Sequence, residues 1–399
     1  MYLTQEEEKI LEGEQGNAAQ KSMQILVALG EIYGAERLIP VSSVQVAGVS
    51  YHNLGEAGLE YLNELAKDGR VKVLTMLNPA GMDLENWSKL GIPEDFAEKQ
   101  KRVIDAFSKM GIITSCTCTP YLIGNLPRYG EHVAWSESSA VTFANSVIGA
   151  RTNKEGGPSA LASAIIGKTP AYGLHLDENR TPDIHFKVKV KLKTLSDYGA
   201  LGYSIGVNAQ GKIPYISGVK NGNVDMLKSF GASLVTYGSK PLYHIQGITP
   251  EASLHSPPSE KIIIGEEELK KAYEALNDDS DEIDFVSLGC PHCSIKEIAE
   301  IAEYLKNKKV AEGVEMWIAT ARPIKQLADE RGYTQIIEEA GAKFACDTCM
   351  VVAPVKGRFK NIATTSAKAC FYSRGKNAMN TRLGSLKQCI DAAITGKWS

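Results

Sequence analysis

Short apolar runs alternate with amphipathic stretches from one end of the chain to the other. Residues 71–77 read as a strand, apolar positions at helical spacing follow over 94–110, and 111–119 reads as the next strand. The alternation returns further on, where 283–288 predicts a strand, 295–306 a helix and 314–319 a strand, with another helical stretch behind it. Strands separated by helices predict mostly parallel sheets covered on both faces, an α/β fold of several three-layer α/β/α domains. One segment departs from this. Ile184, Phe186, Val188, Val190 and Leu192 alternate with His185, Lys187, Lys189, Lys191 and Lys193, and this period of two predicts a half-buried strand with one wet face. Its lysines read as a solvated face or, more sharply, as a docking surface for an acidic partner. At the N-terminus, Thr4 with Glu7 three residues later predicts a helix opened by a capping box.

Residues 249–260, TPEASLHSPPSE, are rich in Pro and Ser and read as a linker between a longer N-terminal part and a shorter C-terminal one. The 399 residues suffice for two or three domains, and 43% hydrophobic with 23% charged residues allows large cores. A net charge of −3 gives no broad basic field of the kind nucleic acid requires. No apolar run is long enough to span a bilayer, and the acidic opening MYLTQEEEKILEGEQG has no signal-peptide core. The expectation is a cytoplasmic protein whose eight cysteines are reduced unless a metal or a reaction uses them.

The cysteines carry most of the chemistry. Six of them form three pairs, Cys116 with Cys118, Cys290 with Cys293 and Cys346 with Cys349, each at the end of a predicted strand. Strand carboxyl ends form the ligand crevice of parallel sheets, so the three pairs are expected to meet at one point. Cys370 and Cys389 stand alone and read as core residues. Three chemistries fit the pairs. Thiolates are soft ligands suited to zinc or to iron–sulfur clusters, although the long gap between Cys293 and Cys346 is unusual for structural zinc. A cluster with only three cysteine ligands leaves one iron open as a Lewis acid, which suits a dehydratase rather than an electron carrier. Finally, CPHC at 290–293 between a strand and a helix has the arrangement of a thioredoxin-like thiol oxidoreductase.

Two motifs lead elsewhere. GYSIG at 202–206 fits a nucleophile-elbow pattern but follows a poor strand, and GVNAQGK at 206–212 resembles a phosphate loop but places Ile213 where Ser or Thr should bind magnesium. Both read as helix packing through small residues, followed by a strand over 213–217. From 129 to 173 small and polar residues crowd around Asn145, Ser146, Arg151, Thr152 and Asn153. Gly-rich turns beside an arginine suit a carboxylate or phosphate, and close helix packing is the alternative. Of the histidines, His132 reads as structural, and His292, set between two cysteines, is the better candidate for a site.

The CTPY segment at 118–121, the WSESSAVTFANSVIGARTN run with GGPSAL behind it, GCPH at 289–292 and DTCMVVAP at 347–354 resemble the aconitase X family over nearly the whole chain. The resemblance implies an aconitase-like arrangement of α/β domains around a central cleft. The division expected is 1–125 with the first cysteine pair, 126–258 with the small-residue anion segment, and 259–399 with the second and third pairs. It implies a [4Fe–4S] cluster with one open iron, held by Cys118, Cys290 and Cys349, one cysteine from each pair. Asn145, Ser146, Arg151, Thr152, Asn153 and His292 would bind substrate. A small swivelling subunit would complete a heterodimer and supply a serine base. A separate chain of this length with Cys290 present resembles the archaeal form, which implies dehydration of (R)-5-phosphomevalonate to trans-anhydromevalonate 5-phosphate in the archaeal mevalonate pathway to isoprenoids. The dehydration of cis-3-hydroxy-L-proline is the other activity implied. A CPHC thiol oxidoreductase and a zinc-stabilised scaffold remain the readings from other classes.

Overall fold

The computed structural model describes residues 1–399 and contains three parallel sheets. In the first, Ser43–Val46 lies between Leu74–Leu77 and Ala134–Trp135, and a short antiparallel pair joins Leu38–Pro40 to Lys168–Pro170 beside it. The second has four strands in the order His244–Ile245, Pro214–Ser217, Ile184–Val188, Lys261–Ile264. The third has five, with Phe285–Cys293 at its centre, Glu315–Thr320 and Lys343–Cys346 to one side, and Asn361–Thr364 and Asn380–Leu383 to the other. Helices between the strands complete the expected α/β architecture. No helix is long and apolar enough to cross a membrane.

The local signals act as their chemistry requires. Thr4 and Glu7 close a capping box on the helix Gln5–Glu12, and Ser294 with Glu297 does the same for Ile295–Leu305. Ile184, Phe186 and Val188 are buried and Lys187 is exposed, so the half-buried strand forms over Ile184–Val188, whereas Lys189, Lys191 and Lys193, also exposed, lie in the loop beyond it and the expected strand over 184–193 is shorter than its alternation. Gly202 and Gly206 lie on the helix Leu195–Ala209, packed against Val224–Gly238. A Cβ at Gly202 would meet the Phe230 carbonyl at 2.5 Å, and one at Gly206 the Leu234 carbonyl at 2.9 Å. The glycines therefore let two backbones approach, and neither an elbow nor a phosphate loop is formed. Cys370 and Cys389 are wholly buried core residues.

Three further expectations are corrected. Residues 111–119 do not form a strand. Only Ile113 bridges to Met76, and a positive φ of 41° at Cys116 turns the chain off the sheet edge. The boundary at 125/126 would cut the first sheet, to which Ala134–Trp135 belongs, and would part Leu38–Pro40 from its partner Lys168–Pro170. The boundary at 258/259 would cut the second, which takes Lys261–Ile264 as an edge strand. The Pro- and Ser-rich segment is accordingly not an interdomain linker. Its first half forms the 3₁₀ turn Pro250–Leu254, which buries Glu251 against Arg180 within the second unit.

The first and third units share an apolar cluster in which Met82, Leu90 and Phe96 meet Phe285, Trp317 and Met350. Polar contacts reinforce it. Arg322 binds Asp347 within the third unit and reaches Asp83 and Glu85 of the first. Asp83, Glu85 and Arg322 line a cleft of about 840 Å³ between the two units, with Cys346 on its wall.

Candidate active site

Cys118 reaches this junction on the irregular loop that leaves the first sheet. Cys290 lies at the carboxyl end of the central strand of the third sheet. Cys349 lies in the turn beyond Lys343–Cys346, where the Val352 and Ala353 amides bond back to its carbonyl at 3.1 and 3.0 Å. All eight cysteines are free thiols, and Cys290 alone is not fully buried.

One member of each pair shares a common electrostatic setting. Burial pushes the Cys118 thiol well up, and Glu137 and Cys349 add to it. Burial pushes Cys290 up to about 12, opposed by Lys368 and reinforced by Cys349. Cys349 is raised by burial and opposed by the Val351 and Val352 amides and by Lys368. Lys368 thus favours the thiolate form of all three. The other members look elsewhere. Cys116 and Cys346 feel Asp347 and Arg322, and Cys293 feels Glu297 and Lys228.

The three thiols fit a soft cationic group. Each needs positive charge to exist as thiolate in so dry a place. One donor already faces them, the His292 amide 3.2 Å from the Cys118 sulfur, and hydrogen bonding from Ser366 and from the Val351 and Val352 amides lowers Cys290 and Cys349 against burial. The thiol oxidoreductase reading fails on geometry. All of CPHC lies within the strand Phe285–Cys293, and the next helix begins only at Ile295, so no helix terminus lowers the pKa of Cys290.

Two short helices bring in residues the sequence reading passed over. Glu137 caps Ser138–Phe143 by accepting from the Ala140 amide at 2.8 Å, and Ser366 caps Ala367–Gly375. The two helix starts meet in a buried ion pair between Glu137 and Lys368. Burial works against the charge on Lys368, but Glu137 and Cys290 outweigh it and hold the amine above the usual lysine range. Glu137 stood in the quoted ESSA motif without a role. Lys368 carried no local signal, because its partner is 231 positions away.

The polar segment between residues 145 and 153 is engaged internally. Asn145 donates to the Thr152 and Pro241 carbonyls at 2.9 and 3.0 Å and accepts from the Thr152 amide. Ser146 accepts from the Tyr243 amide, Thr152 bridges Trp135 and Asn153, and Asn153 joins Tyr172 to Leu174. Arg151 pairs with Asp177 and donates to the His175 carbonyl. These groups largely hold one another, while the Ser146 hydroxyl accepts without an acceptor of its own and the Arg151 guanidinium keeps donors beyond its two partners. His292 is wholly buried, with Nε2 donating to the Thr348 carbonyl at 3.0 Å and Nδ1 accepting from the Thr117 hydroxyl at 2.9 Å. Its ring ties the three cysteine loops together.

Family models for the aconitase X first, second and third domains match residues 1–178, 182–274 and 283–395. The chain is 53% identical over 384 residues to a phosphomevalonate dehydratase large subunit from Methanocaldococcus jannaschii, covering 93% of this chain and 95% of that one. It is 34% identical to a cis-3-hydroxy-L-proline dehydratase from Hypocrea jecorina, covering 99% of this chain and 69% of that protein. The crystal structure of Thermococcus kodakaraensis aconitase X in its holo-form superposes with a TM-score of 0.92 at 48% identity, over 98% of this chain and 100% of that one. With three matching domain models and three cysteine loops converging between its first and third units, this chain belongs to the aconitase X family.

Proposed function

We propose that this chain is the large subunit of a phosphomevalonate dehydratase, a hydro-lyase whose [4Fe–4S] cluster is held by Cys118, Cys290 and Cys349. The observation that carries the assignment is the meeting of the three cysteine loops at His292, in a chain so similar to relatives of that name. When bound, a three-thiolate cluster supplies one iron free of protein as a Lewis acid for the substrate's C3 hydroxyl and C1 carboxylate. The protein's own part is to hold the thiolates and exclude water. Lys368 offsets their charge, Glu137 fixes Lys368, and the His292 amide donates to the Cys118 sulfur. Glu137 is no free base, since Lys368, Ser139 and the Ala140 amide already hold it. The group that removes the C2 proton therefore comes from the small partner that the relatives' names imply. The need to keep these thiols reduced favours a cytoplasmic complex.

The test is anaerobic co-expression with the small partner, followed by iron and sulfide analysis and assays with (R)-5-phosphomevalonate and cis-3-hydroxy-L-proline. About four irons and four sulfides per heterodimer are expected, with turnover of the phosphorylated substrate. Alanine at Cys118, Cys290 or Cys349 should abolish iron binding, whereas alanine at Cys116, Cys293 or Cys346 should retain it. Iron retained in all six variants would overturn the ligand assignment. Turnover of hydroxyproline alone would overturn the substrate.

A further inference from the structure

Three lysines of the second unit stand around one cavity without an acid. The cavity, of about 750 Å³, opens at the carboxyl ends of the neighbouring strands Ile184–Val188 and Pro214–Ser217, between the segments 189–192 and 218–221 that leave them. That is where an open parallel sheet receives ligands. Lys189, Lys191 and Lys220 are exposed along its rim, its lining holds no carboxylate, and none of the three forms an ion pair. By contrast, the cleft at Arg322 sets Asp83, Glu85 and Asp329 beside its cations. The floor is apolar, with Val188, Val219 and Tyr198 buried and Val190 and Leu192 half-buried. The walls are fixed. The Tyr198 hydroxyl donates to the Asn221 carbonyl, and Gly218, at a φ of 89°, lies where a Cβ would meet the Val188 carbonyl at 2.1 Å, so the second wall closes on the first only through a glycine.

An apolar floor under a rim of unpaired cations fits a molecule that is apolar at one end and anionic at the other. We infer that this cavity binds an organic phosphate with an apolar carbon body, the phosphate among Lys189, Lys191 and Lys220 and the body against Val190, Leu192 and Val219. Lysine binds phosphate as a point charge, and three of them suit a dianion better than a single carboxylate. Inorganic phosphate alone would occupy the rim and leave the floor in water, so the carbon body adds affinity by burial. The competing role for the lysines is a solvated face, which needs neither an enclosed space nor an apolar floor. The cavity is lined by the second unit alone, whereas the cysteine loops belong to the first and third, so the site stands apart from the dehydratase reading.

The probe is hexyl phosphate, titrated calorimetrically into the full chain beside inorganic phosphate and hexanol. Saturable binding is expected, at least ~10-fold tighter than that of inorganic phosphate or hexanol. Lys189→Gln combined with Lys220→Gln should weaken hexyl phosphate at least ~10-fold, the loss of two charge-assisted contacts. Lys306→Gln combined with Lys308→Gln, exposed lysines of the third unit, should leave it unchanged. Val190→Ser should weaken hexyl phosphate and spare inorganic phosphate. Circular dichroism checks that each variant is folded. Absence of saturable binding overturns the site and leaves a solvated lysine face. Binding that survives the Lys189 and Lys220 substitutions overturns its placement, and equal affinity for inorganic and hexyl phosphate overturns the apolar body and leaves a bare anion site. If hexyl phosphate fails to bind while the same lysine substitutions release the chain from phosphatidylglycerol vesicles or from its small partner, the face is a docking surface instead. No arm uses iron content or turnover, so failure here leaves the dehydratase standing.

Discussion

A histidine set between two cysteines invites a catalytic reading, and His292 shows how burial redirects it. Both ring nitrogens are engaged by threonine groups from the neighbouring cysteine loops, so its imidazole works as a strut. Two other buried histidines make a testable contribution to stability. Burial lowers His244 from 6.5 to about 4 and His175 from 6.5 to about 3. The unfolded chain binds these protons near 6.5 and the folded chain only well below, so their stabilisation is complete above 6.5 and is lost as pH falls through the folded values. Denaturation of the cluster-free chain should weaken by ~1.4 kcal/mol per pH unit for each group once pH drops below 6.5. His244→Gln, which keeps a donor for the Arg180 carbonyl, should make that dependence shallower by about one proton, as followed by urea midpoints between pH 7.5 and 5. An identical slope in the variant would remove His244 from the account.

At the level of elements, Arg180 shows what a compositional signal conceals. Its guanidinium bonds to Glu251 at 2.9 Å and to the carbonyls of Leu174, Asn145 and Ala150 at 2.9, 3.0 and 3.3 Å. Glu251→Ala leaves that charge buried and unpaired and should cost about 3–5 kcal/mol. Arg180→Met combined with Glu251→Leu should recover only part of this, because three carbonyls lose their donor. Full stability in Glu251→Ala, by chemical denaturation, would contradict the buried pairing. The segment TPEASLHSPPSE reads as a linker because Pro and Ser mark turns, and composition does not say whether a turn is packed. The alternating strand at 184–188 and the capping boxes were legible, since their signals lie within a few residues. The loop bearing Cys116 and Cys118 was not. Its apolar run suits a strand, and the departure comes from the Cys116 backbone and from Gln45, which donates to the Thr117 carbonyl from 72 residues away. In the site, the three cysteine pairs were visible as spacing, whereas the Glu137–Lys368 pair exists only once the units meet.

Across the whole molecule, Arg322 is the main polar tie between the first and third units. It meets Asp83 and Asp347, which are 1% and 2% exposed, and burial raises Asp347 to about 6 even with that partner. Arg322→Met strands two buried carboxyls and should cost about 3–5 kcal/mol. Because it loosens the junction rather than a core, Cys116 and Cys346 should become reactive to thiol reagents in the native state. Calorimetry should show a transition split in two where the parent protein shows one. Thiols that stay protected in the variant would place the tie elsewhere, in the apolar cluster around Phe96 and Trp317. The same geometry governs how the protein matures. Cys118 belongs to the unit made first during synthesis, whereas Cys290 and Cys349 arrive only with the last third of the chain. A group that needs all three thiols finds no complete seat on a nascent or half-docked chain. Capture of the proposed cluster would therefore be a late event that reports correct assembly, and its binding energy would then hold the two units together.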